Sequence, residues 1–293
     1  MFTDTAVLVE RNLLTVRRIP TLLVSATIQP LMFVFLFAYV FGATFGGHSY
    51  REYLMAGIFT QTVVFNAAFT TVGLANDMSD GIIDRLRSLP MSRLAVIAGR
   101  VGSDMLLGLV GLTVMVISGL VIGWRVHGSL ADAAIAFGVI IVFALAMAWV
   151  GAVTGLIAPN VEVAQSIGFL WMFPVTFLSS AFISAASLPG PLRTIAEWNP
   201  VTAVATTSRD HLGNGAPSNF VPPSGWVADH ALAYSIGWSV AILAVCMPLS
   251  LMLYRRAHRA DDSSACRAPM SIRHDAVWTE PPHPSSGVAT VVE

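Results

Sequence analysis

Six apolar runs divide the chain at about 21–47, 53–76, 103–124, 133–158, 165–186 and 231–254, with charged residues only at their edges. Each meets or exceeds the roughly 20 residues a helix needs to cross a hydrocarbon core of about 30 Å. In that core every backbone N–H and C=O must be paired within the segment, so each run predicts a helix. The fold class expected is an all-α membrane protein with six transmembrane helices. Ahead of the first run, Ala6, Val9, Leu13 and Val16 fall on one helical stripe, with Asp4, Arg11, Thr15 and Arg18 opposite. Residues 3–19 lack the apolar length to cross and predict an N-terminal interfacial helix; the alternative is a frayed basic leader.

Pro30 and Pro174 predict kinks in spans 1 and 5. Gly42/Gly46, Gly119/Gly123 and Gly151/Gly155 are small-residue pairs that permit close helix approach, read as packing within the bundle rather than as a dimer face. The longest loop, 187–230, is semi-apolar to Leu212 and broken at Asn199-Pro200. Two short helices dipping back into the outer leaflet suit that half. Gly213, Gly215, Pro217, Pro222 and Pro223 make the other half read as irregular and exposed. Residues 259–293, rich in Ser and Pro without apolar periodicity, predict a disordered tail behind a transmembrane domain at 1–258.

Composition leaves little space for anything else. Charged residues are 11% of the 293, against about 25% in an ordinary soluble domain, so no second folded domain is expected. All 16 basic residues are Arg, and their placement sets the orientation. Twelve lie in the N-terminus, the loop after span 2 and the tail; Arg51, Arg125, Arg193 and Arg209 lie on the other side. The positive-inside rule then puts both termini in the cytoplasm of a multi-pass protein of the cytoplasmic (plasma) membrane. Asp4, Glu10 and the length of the first run argue against a cleaved signal peptide. Cys246 and Cys266 imply no disulfide framework.

Several chemistries are excluded by what is missing. A GxxxxGK[ST] phosphate loop needs a lysine, and the sequence has none. The seven histidines are scattered without metal-ligand spacing, and neither GxSxG nor HExxH occurs, so an enzyme, a metal site or a nucleic-acid partner is not expected. Ion-coupled carriers place charged groups at membrane depth; here Asp77, Asp104, Asp132 and Glu162 stand at span ends. Gln61 and Asn66 are the strongest polar groups mid-span, where an interhelical hydrogen bond is the ordinary role. If something is moved, the energy comes from elsewhere.

Residues 76–100 read NDMSDGIIDRLRSLPMSRLAVIAGR. Ile82, Ile83, Leu86 and Leu89 give one apolar face, Asp80, Asp84, Arg85 and Arg87 a charged one; Pro90 ends the helix and Ser92 can cap the next, which continues into span 3. Such a helix suits docking into a groove on a soluble partner. A solvated loop whose arginines only fix topology fits the composition equally.

This segment resembles the first cytoplasmic loop of ABC-2 type ABC-transporter permeases of the daunorubicin-resistance kind, where a Gly-hydrophobic-hydrophobic-Asp-Arg-x-Arg-Ser-x-Pro run precedes further basic residues. Gly81, Asp84, Arg85, Arg87, Ser88, Leu89, Pro90, Arg93 and Arg100 match. Gln29-Pro30 with Phe37 and Phe41-Gly42 resembles the family's first span, and Phe173-Pro174 with Phe177-Leu178-Ser179-Ser180-Ala181-Phe182 its fifth. Glu197 to Thr202 with Arg209 resembles the segment before its last span, so the similarity covers about 5–258.

The resemblance implies six spans and two permease copies, taken as a homodimer, paired with cytoplasmic ABC ATPase subunits. ATP and Mg would sit on that partner, with no cofactor on this chain. Gly81, Ile83, Asp84, Arg85, Leu86, Arg87, Leu89, Pro90 and Arg93 would form the coupling helix against the ATPase. Trp198, Asn199 and Pro200 would belong to short re-entrant extracellular helices. Gln61, Phe65, Asn66, Phe69, Phe173 and Phe177 are candidates for the translocation path, against simple packing or contact with membrane lipids. The function expected is a permease subunit of an ATP-driven exporter of amphiphilic compounds, antibiotics or other drugs. Export of a lipid or glycan, or a non-transporting membrane partner in a sensing or immunity system, are the alternatives.

Overall fold

The computed structural model describes residues 28, 31–41, 48–81, 93–182, 184–217, 221 and 225–265. All regular structure among them is helical. In chain order the elements are α1 (Leu31–Val40, winding into a π-helix at Leu36–Phe41), α2 (His48–Ser79), α3 (Arg93–Ile122), α4 (Leu130–Ile157) and α5 (Val161–Phe177). A 3₁₀ turn (Ala185–Ser187), α6 (Gly190–Glu197), α7 (Pro200–Leu212), the single turn α8 (Trp226–Asp229) and α9 (Ala231–Ala265) follow. The bundle belongs to the unit Met1–Tyr254, distinct from Arg255–Glu293.

Among the described residues four helices are long and apolar enough to cross a membrane: His48–Ser79, Leu94–Ile122, Leu130–Ile157 and Ala231–Arg255. They fall on expected spans 2, 3, 4 and 6. Most of span 1, the interfacial segment 3–19 and Gly42/Gly46 lie outside the described residues. Helix α3 starts at Arg93 and runs through span 3, as expected of the helix after Pro90, and this puts Arg100 and Asp104 inside it. Two boundaries differ from those expected. Helix α9 continues beyond 254. Helix α5 stops at Phe177 instead of about 186. The Ser179 hydroxyl turns back onto Thr176 O, giving the chain a local alternative to helix.

Helix α2 is the central post, packed against α3, α4, α5 and α7. Its most apolar window is 78% buried, against 11% for α9. A helix that meets protein instead of lipid can carry Thr60, Gln61, Thr62, Thr70 and Thr71 on its buried surface. Tyr50, Leu54, Ile58 and Phe59 of α2 join Met115, Trp124, Ile140, Phe143, Met172 and Val204 in the main apolar cluster. Because lipid tails are as apolar as these side chains, the gain here is close packing rather than escape from water.

Glycine sets the closest approach. A Cβ on Gly151 would lie 2.4 Å from Ala67 O, and one on Gly155 2.5 Å from Thr71 O, so α2 and α4 touch backbone to backbone. The Thr71 hydroxyl donates across this seam to Gly151 O (3.1 Å). The Gly151/Gly155 pair therefore packs within the bundle, as its spacing suggested.

Short-range signals fix the helix ends. Ser129 and Asp132 form a capping box at the start of α4, each side chain bonding the other's backbone N–H. Ser129→Ala should cost about 1 kcal/mol, read as a small drop in the thermal midpoint of the purified protein. Helix α3 ends at Gly123, whose φ of 104° only glycine adopts readily. The following Trp124 is buried and donates Nε1–H to Asn214 Oδ1 (2.9 Å), while Asn214 Nδ2 donates to Arg125 O (2.9 Å). Asn214 is thus fully buried in a stretch that composition marked as exposed loop. A pair of amide hydrogen bonds to a neighbouring turn outweighs the Gly/Pro signal around it.

Candidate functional site

Where α5 ends, Leu178 to Phe182 run non-helical through the bundle, and their backbone groups need partners that a helix would have supplied. Side chains from α2 and α7 supply them. Tyr53 Oη donates to Ser180 O and Tyr50 Oη to Phe182 O, both at 3.3 Å. Asn199 Nδ2 donates to Val175 O (2.7 Å) and Leu178 O (2.9 Å). Ser180 N–H donates to Thr202 Oγ1, which in turn donates to Ala196 O.

Arg209 completes the set. Its guanidinium donates to Ala181 O (2.7 Å) and Tyr53 O (2.9 Å) and lies 3.6 Å from the centre of the Tyr53 ring. It is 5% exposed, and among the described residues no carboxylate pairs with it. Burial lowers its hold on the proton, while the fields of Tyr53 and Asp210 raise it. The carbonyl dipoles and the ring face carry the compensation for its charge. Gly57 makes this possible: a Cβ there would lie 1.8 Å from Ala181 O.

The expected re-entrant residues sit at this junction. Asn199 caps α7 through Val201 N–H (2.8 Å), Pro200 occupies the first turn, and the half-exposed Trp198 stacks on Trp226 at 6.5 Å. The two short helices expected before the last span are present as α6 and α7.

The candidate path residues divide between two places. Phe65 meets Phe173 edge to face at 5.5 Å, Phe173 stacks on Phe177 at 5.7 Å, and Phe177 on Phe182 at 5.6 Å. Phe33 and Phe37 of α1 extend the array, which leaves Phe173 (44%) and Phe177 (45%) open at its edge. Phe69 is also exposed, whereas Gln61 is buried with Oε1 unbonded. Asn66 faces elsewhere, towards Gly108 of α3, lining a cavity of about 20 Å³ with Thr70, Asp104 and Met105.

Of the coupling residues, Gly81 closes α2 with φ 65°, its N–H donating to Met78 O. Ile83, Asp84, Arg85, Leu86, Arg87, Leu89 and Pro90 lie outside the described residues, and Arg93 opens α3. Beside them stands a cluster that the span-end reading passed over. Arg100 Nε donates to Asp104 Oδ2 (3.0 Å) and its Nη1 to Asp77 Oδ2 (3.2 Å). The i, i+4 spacing of Arg100 and Asp104 was the available signal.

Comparison with known proteins agrees with this architecture. Residues 3–210 match the family model described as "ABC-2 type transporter". The chain is 30% identical over 247 residues to the daunorubicin resistance ABC transporter permease protein DrrB1 of Streptomyces coeruleorubidus, covering 84% of this chain and 83% of that protein. With a helical, multi-spanning body and a match across most of its length, the chain belongs to the ABC-2 type transporter family of membrane permeases.

Proposed function

We propose that this chain is the permease subunit of an ATP-driven exporter that moves amphiphilic compounds, drugs or antibiotics among them, out across the cytoplasmic membrane. The observation that carries the reading is its similarity over 84% of its length to a daunorubicin resistance permease. Hydrolysis belongs to a separate cytoplasmic ATPase that binds ATP and Mg, since this chain has no lysine for a phosphate loop. The topology proposed is six spans in a domain of residues 1–258 with both termini inside, the first span completed by residues around α1 and the fifth by α5. Helices α6 and α7 dip into the outer leaflet as the re-entrant pair, and residues 259–293, whose first turns to Ala265 continue α9 where a disordered tail was expected, lie in the cytoplasm.

The open edge of the phenylalanine array, Phe173 and Phe177 with Phe65 behind them, supports a path between α2 and α5 that a second copy of the chain would close. Aromatic rings offer large contact area to flat apolar cargo without demanding a hydrogen-bond pattern. Residues 82–92 dock on the ATPase, with Asp84, Arg85 and Arg87 as polar contacts and Ile83, Leu86 and Leu89 as apolar ones.

Cells expressing the chain with its ATPase should accumulate less daunorubicin than cells with the ATPase alone. The Asp84→Ala/Arg85→Ala pair should lower export at least tenfold while the ATPase itself still turns over ATP. Unchanged export by that pair would remove the coupling assignment. Pumping by the purified chain without any ATPase would remove the whole reading.

A further inference from the structure

The Asp77–Arg100–Asp104 cluster is the most developed polar feature that the proposed path and docking segment do not use. Asp77 stands half a turn before the end of α2, Arg100 about two turns into α3, and Asp104 one turn further on. The guanidinium is laid flat on the backbone of α2: a Cβ on Gly73 would fall 1.7 Å from Arg100 Nη2 and 2.2 Å from Cζ. Gly73 precedes Asp77 by one turn, so α2 offers a shelf and a carboxylate on the same face. Helix α3 offers the second carboxylate, with a side chain only 5% exposed. The Arg100 and Asp77 side chains are each 23% exposed.

A cluster this enclosed is weak evidence for stability, because desolvation offsets much of the attraction between the charges. What it does supply is direction. A fork held at Nε and Nη1 and resting on bare backbone resists sliding and rotation of one helix on the other, which an apolar contact permits. These two helices are the ones that enter and leave residues 82–92.

We propose that Asp77, Arg100 and Asp104 act as an ion clamp that makes the end of α2 and the first turns of α3 a single body, so that a push on residues 82–92 reaches the bundle through both helices at once. Arg100 is the positioning residue. The coupling role rests on the export reading above; the clamp itself does not.

The test separates the two. Spin labels at the exposed positions Ser79 and Leu106, in protein with Cys246 and Cys266 replaced by Ser, report the α2–α3 distance in vesicles without nucleotide or cargo. A narrow distribution should broaden in Arg100→Gln and narrow again in part in Arg100→Lys, which keeps a charge without the fork. In the complex with its ATPase, Arg100→Gln should bind the ATPase and hydrolyse ATP within about twofold of the parent. Daunorubicin exported per ATP should fall about tenfold, and Arg100→Lys should recover part of it.

A distribution as narrow in Arg100→Gln as in the parent overturns the clamp. A broadened distribution with export per ATP unchanged overturns its coupling role. Failure of the parent complex to export sinks the export reading and the coupling role with it, leaving the distances to decide the clamp alone.

Discussion

Replacing Arg209 by Met lowers the thermal midpoint of the purified protein by roughly 6–12 °C, corresponding to about 3 kcal/mol at 2–4 °C per kcal/mol for a chain of this size. Three losses and one partial offset net to that figure. Ala181 O sits in a non-helical stretch and has no ladder partner to fall back on once the 2.7 Å bond from Arg209 is gone. An unsatisfied buried carbonyl costs about 1–3 kcal/mol. The bond to Tyr53 O and the contact with the Tyr53 ring go as well, the second worth about 2 kcal/mol when desolvated. Relief of a buried charge offsets part of this, which keeps the total near 3 rather than 5. Arg209→Lys should lose about half as much, because a single ammonium cannot face two carbonyls and a ring together. A midpoint for the Met variant within 2 °C of the parent would mean that something else closes the end of α5.

Gly151→Leu has a comparable effect by a different route. The obstructing atom is a backbone oxygen, Ala67 O, which cannot rotate away as a side chain would. Helices α2 and α4 must separate, and the Thr71 bond across the seam breaks with them. The cost should reach about 3 kcal/mol, the upper end of ordinary overpacking, and appear as a lowered midpoint and a poor yield of folded protein. Gly138, on the same helix with nothing within 4 Å of its would-be Cβ, is the control. Gly138→Ala should be neutral or gain up to about 1 kcal/mol from the lower freedom of the unfolded chain. Ala and Leu both form helix better than Gly, so equal losses at both positions would remove the α2–α4 seam as the cause.

The sequence was informative where structure follows from nearby residues. Apolar runs located α2, α4 and α9, and Asn199-Pro200 marked the start of α7 because an N-cap and a first-turn proline act within one turn. The break after Phe177 was hidden inside an unbroken apolar run, with Ser179-Ser180 as its only local trace. Arg209 entered the orientation count as one charge among sixteen and the family resemblance as one matched residue; its partners are backbone groups 28 and 156 positions away, and no periodicity points to them. Arg100 and Asp104 carry a helical spacing in the helix expected to continue into span 3, but the residue that makes them a cluster across two helices, Asp77, lies 23 positions from Arg100, and no local spacing reports it. Among the path candidates, hydropathy could not tell that Asn66 turns to α3 while Phe65 turns to α5.

The chain is made from its N-terminus, and that order has a consequence for the five-residue gap in hydrogen bonding that follows helix α5. Tyr50 and Tyr53 are synthesised before the gap; Asn199, Thr202 and Arg209 come after it. Arg209 emerges 28 residues later than Ala181, a delay of roughly 1–6 s at about 5–20 residues per second. During biogenesis the gap therefore waits, half tied, for an anchor that has yet to be translated, and a nascent chain stalled short of that residue would leave the insertion machinery or a chaperone to shelter it.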